Sequence, residues 1–283
     1  MTVLEAIQKS TDFLAKKGVE SPRLQTELLL AHLLKMPRMK LYLNFDRVLT
    51  APETDGLREF IKRRGLREPL QHITGSTSFC GYEITVSRHA LVPRPETELL
   101  VELGWKFLAT HHSSSVTGLD FGTGTGCIAI ALAAKSPAAK ITALDVSAEA
   151  LALAKQNAAQ NQVAERIEFL LGDGFAALTT GTRFDLLISN PPYIASAEIE
   201  MLEPEVKDFD PRSALDGGAD GLDFYRRLAA EAKPFLKPDG KIMLEFGDGQ
   251  ADAIKKIFGG EKWIVEAVQA DYSQRARILV ARV

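Results

Sequence analysis

Residues 119–130 read LDFGTGTGCIAI, and this stretch decides the fold. An apolar run ends in the loop Gly122-Thr123-Gly124-Thr125-Gly126, and a second apolar run follows it. Glycine lets the backbone turn tightly and approach a ligand, and the first N–H groups of a following helix are free to bind one. The pattern therefore predicts a strand, a ligand-binding loop and a helix.

Strands and helices alternate from about residue 97 onward. Helices are predicted over CIAIALAAKS, SAEALALAKQNAAQ and GLDFYRRLAAEAKPFL. The apolar strand candidates are VTGLDF, KITALD, RIEFLL, FDLLIS, GKIMLEF, WIVEAV and ARILVA. Such alternation is typical of an α/β fold with an open, mostly parallel sheet covered on both faces. Because no helix is predicted between the last two strands, we expect them to form an antiparallel hairpin at one edge.

The first 75 residues have a helical pattern instead. One helix is predicted to end at Gly18, and Ser21 and Pro22 are typical of the N-cap and first position of the next. The period changes to two in residues 76–96, where Gly81 marks a turn. We therefore predict a small helical bundle over 1–75, a β-hairpin linker over 76–96 and an α/β domain over 97–283.

The composition is that of an ordinary globular protein, 46% hydrophobic and 25% charged with a net charge of −3. The charge is uneven, since residues 1–75 have a balance of +4 and the remainder −7. Two cysteines are too few for a disulfide framework, and the five histidines show no metal-ligand pattern; the pair at 111–112 is typical of a loop. We see no signal-peptide pattern and no apolar run near the ~20 residues that span a bilayer, and we expect a cytoplasmic protein.

Acidic side chains follow the next two strands of the predicted sheet, at the edge where open α/β sheets bind ligands. Asp145 comes 19 residues after Gly126, and a carboxylate there can accept both hydroxyls of an adenosine ribose. Helix capping by Asp145 is less favoured, because Ser147 is already a suitable cap. Asp173 either accepts from an adenine amino group or only forms a turn with Gly174. The spacing fits a nicotinamide dinucleotide or S-adenosylmethionine (SAM) equally well.

The fourth strand ends in SNPPYI, residues 189–194, and this motif favours SAM. A planar NH2 group is a poor nucleophile, so an enzyme that methylates it must hold its two N–H bonds. The Asn190 carboxamide oxygen can accept one hydrogen bond and the Pro191 carbonyl the other. Pro191 and Pro192 make these acceptors rigid, and Tyr193 is predicted to supply an aromatic wall. The motif predicts methyl transfer to a planar NH2 group, and the mechanism requires no metal.

The chain resembles the release factor glutamine methyltransferases, the PrmC/HemK family, over essentially its whole length. The matching segments include EPLQHITG, LVPRPETELLVE, LDFGTGTGCIAIALA, FDLLISNPPYI, SALDGGADGLDFY and LEFGDGQ. The resemblance implies a helical domain that docks a peptide chain release factor, a β-hairpin linker and a Rossmann-like SAM domain. It implies methylation of the side-chain amide nitrogen (N5) of the glutamine in a Gly-Gly-Gln motif. By the same resemblance, SAM is surrounded by residues 122–126, Asp145, Asp173, Gly174 and Asn190, and the glutamine is held by residues 190–193.

Two positions depart from the family pattern. Asp210 precedes Pro211 where the family often has glutamate, and Gln274 stands where glycine is common. Arg94 and Glu96 are polar residues at the beginning of the α/β domain, and residue types alone fit either a SAM-facing role or an interdomain ion pair.

Two other functions compete. An N6-adenine or N4-cytosine DNA methyltransferase needs the same clamp, but the acidic catalytic half and the absence of a basic, aromatic recognition segment count against stable nucleic-acid binding. A non-catalytic adaptor of the translation machinery would not need an intact glycine loop and clamp. In the favoured interpretation, the basic turn Lys62-Arg63-Arg64 steers an acidic partner; the alternative is an ordinary solvated helix end.

Overall fold

Two compact units make up the protein. The structure is a computed structural model that describes residues 1–110, 116–271 and 273–283, and the predicted histidine loop at 111–112 lies outside them. The smaller unit comprises Met1–Ser76 and Glu203–Phe209, and the larger comprises Thr77–Leu202 and Asp210–Val283. The division at residues 75 and 96 stays a prediction. The sequence analysis did not foresee that a segment near residue 205 returns to the N-terminal helices.

The smaller unit is helical. Its N-terminal helices are α1 (Val3–Lys16), α2 (Pro22–Leu33), α3 (Arg38–Leu41), α4 (Ala51–Gly65) and α5 (Leu70–Thr74). Thr2 caps α1 and Thr50 caps α4, each with a glutamate three residues later that completes a capping box. Ser21 is the N-cap residue of α2 as predicted, but its backbone is left-handed (φ 47°) and its side chain makes no capping hydrogen bond. Pro22 does begin α2 as predicted.

In the basic turn at the end of α4, Lys62 is exposed but the two arginines are paired. Arg63 pairs with Glu68, with Nη2 2.6 Å from Oε1. The Arg64 side chain is only 3% exposed and its Nη2 lies 2.5 Å from Oε1 of Glu205. Because the Arg64 side chain is buried, it is neither part of a steering surface nor a solvated helix end.

A mostly parallel sheet forms the centre of the larger unit. A separate hairpin consists of β1 (Ser76–Phe79) and β2 (Tyr82–Thr85). The strands of the main sheet are β3 (Val116–Phe121), β4 (Ala139–Asp145), β5 (Ile167–Leu171), β6 (Phe184–Ser189), β7 (Leu236–Glu245), β8 (Ile264–Ala270) and β9 (Ala276–Arg282). The remaining helices are α6 (Thr97–Ala109), α7 (Cys127–Lys135), α8 (Ala148–Gln160), α9 (Pro204–Lys207, in the smaller unit), α10 (Asp223–Glu231) and α11 (Ala251–Gly260).

The strand order is β5-β4-β3-β6-β7-β9-β8, and β9 is antiparallel to both of its neighbours. This confirms the predicted α/β fold with an antiparallel edge hairpin. The chain leaves β3 toward β4 and β5 and then returns to place β6 on the other side of β3. Open α/β sheets bind ligands at such a switch point, outside the carboxyl ends of the strands. Here those ends carry the glycine loop and Asn190.

Side-chain alternation along each strand builds a core on both faces of the sheet. In β3, Leu119 and Phe121 pack with α10 and α11, while Val116 belongs to the cluster that includes α6 and α7. All six residues of β6 are buried, which explains the continuous apolar run FDLLIS. The carboxyl ends of β3 and β6 are therefore held rigidly.

Candidate active site

One cavity lies at the switch point and is lined by residues of the larger unit alone. It brings together most of the residues that the sequence singled out: Gly122, Thr123, Gly124, Thr125, Asp145, Asp173, Gly174, Asn190, Pro191 and Pro192. Their loops are tied to one another at the base, where the Ser189 hydroxyl donates to the Phe121 carbonyl at 2.6 Å. The cavity is thus built on the ends of neighbouring strands.

Two predicted residues do not line the cavity. Gly126 is the left-handed N-cap of α7 (φ 81°), and a Cβ there would lie 2.9 Å from Cβ of Ala154. Tyr193 packs against the core cluster of the sheet, and its backbone carbonyl accepts from Nε2 of Gln250 at 2.9 Å. Burial raises the pKa of the Tyr193 phenol. Its predicted function as an aromatic wall therefore has no support from its position.

A buried carboxylate that sequence reasoning missed supports the glycine loop from below. Oδ2 of Asp120 accepts from the Thr123 hydroxyl at 2.6 Å and from the Ala129 N–H at 3.1 Å. Asp120 is fully buried, and burial raises its pKa to about 7. The sequence did contain a signal for a buried carboxylate, because Asp120 lies one residue before Phe121 inside a strand predicted to be buried. A charged residue type rarely lies there without a partner.

Asp145 braces the other side of the loop. Its Oδ2 accepts from the Gly124 N–H at 2.8 Å and its Oδ1 from the Ser147 N–H at 2.9 Å. Ser147 itself caps α8 by accepting from the Ala150 N–H, as the sequence predicted. A carboxylate has about four acceptor positions, so Asp145 retains two for ribose hydroxyls.

Asp173 has a partner that the sequence did not reveal. Its Oδ1 lies 2.6 Å from Nη1 of Arg227, and both residues line the cavity. Gly174 permits this approach, because its backbone is left-handed (φ 63°) and a Cβ would lie 2.4 Å from Nη2 of Arg227. The neighbouring guanidinium competes with an adenine amino group for the carboxylate, whose side chain is 75% exposed.

Asn190 is anchored through its amide nitrogen. Nδ2 donates to Oγ1 of Thr97 at 3.1 Å, and both residues line the cavity. Beneath them lies Glu245, which ends β7 and is 3% exposed. Burial raises the pKa of Glu245 to about 7, while the neighbouring Thr97 and Asn190 side chains lower it. The sequence analysis predicted neither the contact of Asn190 with Thr97 nor the buried glutamate next to them.

The structure gives positions for the residues whose roles the sequence did not decide. Arg94 lines the cavity and its Nη2 lies 2.6 Å from Oδ2 of Asp210, so it forms an ion pair within the larger unit. Asp210 also accepts from the Val92 N–H at 3.3 Å, and burial raises its pKa. Glu96 immediately precedes α6. Gln274 has a left-handed backbone (φ 62°), a conformation that glycine adopts without strain.

The lining fits an adenosyl ligand with a charged tail. Phe121, Leu144 and Val146 offer apolar surface beside the Asp145 carboxylate. Around Gly122 a Cβ would meet nothing within 4 Å, so the loop leaves open space in front of the N-terminus of α7. Among residues 1–110, 116–271 and 273–283, no group of three or more His, Cys, Asp or Glu could hold a metal ion. No helix in the same residues is long and apolar enough to cross a membrane.

Comparisons with known proteins agree with this site. Residues 5–75 match the PrmC N-terminal domain and residues 97–203 match the methyltransferase small domain. The release factor glutamine methyltransferase of Geobacter sulfurreducens is 43% identical over 257 residues, which cover 91% of this chain and 88% of that protein. That of Chlorobaculum tepidum is 39% identical over 282 residues, covering 98% of this chain and 95% of that protein.

A methyltransferase from Pyrococcus furiosus has the same fold, with a TM-score of 0.51 at 22% identity; the match covers 71% of this chain and 88% of that one. The fold, the glycine loop and the domain match together define a SAM-dependent methyltransferase. Within that class, the chain belongs to the release factor glutamine methyltransferase family. The predicted family and cofactor are confirmed.

Proposed function

We propose that this protein methylates the side-chain amide nitrogen of the glutamine in the Gly-Gly-Gln motif of peptide chain release factors. The observation that carries the proposal is the anchoring of Asn190. Because Nδ2 donates to Thr97, the carboxamide oxygen Oδ1 lies on the opposite side of the planar group. An oriented acceptor is thus available in the cavity for an N–H bond of the substrate amide.

The neighbouring prolines complete the clamp. Pro191 and Pro192 line the cavity, and the Pro191 carbonyl adds an acceptor, while neither proline adds an N–H donor. Two fixed acceptors hold both N–H bonds of a primary amide and orient its nitrogen. SAM, which the glycine loop and Asp145 would hold, would supply an electrophilic methyl group: the N–C bond forms as the S–C bond of SAM breaks, and S-adenosylhomocysteine and one amide proton leave. The contribution of the protein is orientation and preorganised acceptors.

The choice of glutamine requires contacts outside the clamp, since one primary amide resembles another. Glycine neighbours, which lack Cβ, suit a clamp at the base of a cavity. We assign recognition of the rest of the release factor to the helical domain, as the sequence suggested, but not to Arg64, which is buried. The same proposal includes a cytoplasmic location, and it includes no stable binding to nucleic acid.

Transfer of labelled methyl from SAM to purified release factor tests the function. The matched control is the same factor with the motif glutamine replaced by alanine, and duplex DNA is assayed in parallel. We expect label only in the factor with the intact motif. Label in DNA but not in the factor would instead favour the DNA methyltransferase. SAM binding without transfer to either would favour the adaptor.

A further inference from the structure

Glu245 and Asn190 meet at the ends of two neighbouring parallel strands. The register pairs Ser189 of β6 with Leu244 of β7. The next residues along the chain are Asn190, which directly follows β6, and Glu245, the last residue of β7. Paired residues of a parallel ladder point to the same face, so this placement brings the two side chains together.

Glu245 lies next to the clamp. Asn190 Nδ2 donates to Thr97 Oγ1 at 3.1 Å, and both side chains lie close enough to Glu245 to lower the pKa of its carboxyl group. One carboxylate oxygen, Oε2, is buried and has no hydrogen-bond partner in the part of the chain that the structure describes. A buried carboxylate with incomplete pairing destabilises a fold, so its presence here points to a functional reason.

The charge of Glu245 decides which groups of its neighbours it favours. A carboxylate only accepts hydrogen bonds, so a charged Glu245 favours an orientation in which the donors, the Thr97 hydroxyl and the Asn190 NH2 group, face its side of the clamp. A protonated carboxyl group or a glutamine can donate as well. Either one can pair with Oδ1 of Asn190 and so stabilise the flipped amide, in which an NH2 group replaces the acceptor in the cavity.

We propose that Glu245 is a positioning residue that holds the Asn190 amide with its oxygen available to the substrate. The inference rests on the proposed function, because it assigns the orientation that amide methylation needs. Glu245 does not line the cavity, so it acts through Asn190 and Thr97.

Charge on Glu245 makes this orientation depend on pH. Burial raises its pKa to about 7, so the carboxylate form predominates above that value and the protonated form below it. Other charged and titratable groups face it: Glu96 raises its pKa, and the positive charge of Arg277 lowers it. The phenols of Tyr193 and Tyr225 face it too, and burial raises the pKa of each above its ordinary value, so both stay neutral near pH 7.

Kinetics of Glu245→Gln against pH test the proposal. We expect wild-type kcat to fall as pH decreases through about 7. In Glu245→Gln, kcat at pH 8 should be about tenfold lower than in the wild type, and kcat should not change with pH. This loss is smaller than the loss expected from removing a contact to the reacting group. The KM for SAM should stay within about twofold, because transition-state orientation rather than binding is lost.

Asp185→Asn is the matched control. Asp185 is also a buried carboxylate in the sheet, but it lies near the amino end of β6, where Oδ2 accepts from Lys237 Nζ at 2.7 Å. This variant removes a buried charge far from the cavity. It should keep the wild-type pH profile of kcat, even where its stability falls.

A measurement without substrate separates this inference from the proposed function. The side-chain ¹⁵N amide signal of Asn190, assigned with Asn190→Ala, should shift with a midpoint near pH 7 in the wild type and not in Glu245→Gln. An Asn190 signal that does not titrate, or equal pH profiles in the two proteins, would overturn the inference. Failure of the wild type to methylate release factor would overturn only the proposed function.

Discussion

At the scale of single residues, the site consists of polar groups that hold one another in place. Asp145 and Asp120 brace the glycine loop, and Thr97 fixes Asn190. Their common effect is to keep acceptors in fixed positions in a partly buried cavity, where such preorganisation is most effective.

Asn190→Ala should lower turnover by about 10²–10³, because it removes an oriented acceptor for the reacting amide. SAM affinity should change little, since Asp145 and the glycine loop remain. Labelled-methyl transfer and calorimetry measure the two effects separately. Near wild-type turnover in this variant would show that Asn190 is not part of the clamp.

Asp145→Ala should weaken SAM binding by roughly 1–3 kcal/mol, because it removes acceptors for the ribose hydroxyls and the brace on Gly124. The far-UV circular dichroism spectrum should be unchanged, since Ser147 caps α8 independently. Calorimetric titration with SAM is the measurement. Unaltered affinity for SAM would show that Asp145 only stabilises the glycine loop and does not bind the ribose.

At the scale of elements, the loop after β3 serves as both ligand surface and packing surface. Gly122 faces open space, whereas Gly126 lies against α8 at the start of α7. The same motif thus contains glycines needed for different reasons, and the sequence pattern alone does not distinguish them.

Alanine substitutions at Gly122 and Gly126 should distinguish the glycine that faces open space from the glycine that packs against α8. Gly122→Ala adds only left-handed backbone strain, about 1 kcal/mol. Gly126→Ala adds the same strain and a clash with Ala154 at 2.9 Å, for which overpacking costs a further ~1–3 kcal/mol. Urea unfolding compares them, and equal losses of stability would mean that α8 moves away without cost.

At the scale of the whole molecule, the chain returns to its N-terminal unit at residues 203–209. Arg64 and Arg67 both pair with Glu205 there, at 2.5 Å. Deleting residues 1–75 would leave this segment without its partners. Point variants in the full chain are therefore the cleaner test of the N-terminal unit.

Arg64→Ala should lower the free energy of unfolding by about 3 kcal/mol, because it breaks a buried ion pair. The matched control is Arg58→Ala on the same helix, whose pair with Asp55 is exposed on both sides (74% and 70%) and contributes at most about 1 kcal/mol. Chemical denaturation measures both. Equal effects would show that the pair of Arg64 with Glu205 contributes no more than a surface contact.

The sequence by itself determined the α/β alternation, the loop after β3, and the positions of Asp145 and Asn190 at strand ends. These follow from local signals, namely apolar periodicity, glycine and proline, which act within a few residues. Only the tertiary structure decided that Thr97 pairs with Asn190, that Arg227 pairs with Asp173, and that Tyr193 packs against the core cluster of the sheet. Each of these contacts joins residues far apart in the chain or depends on which strands lie side by side. Strand order and register set such contacts, and no local pattern encodes them.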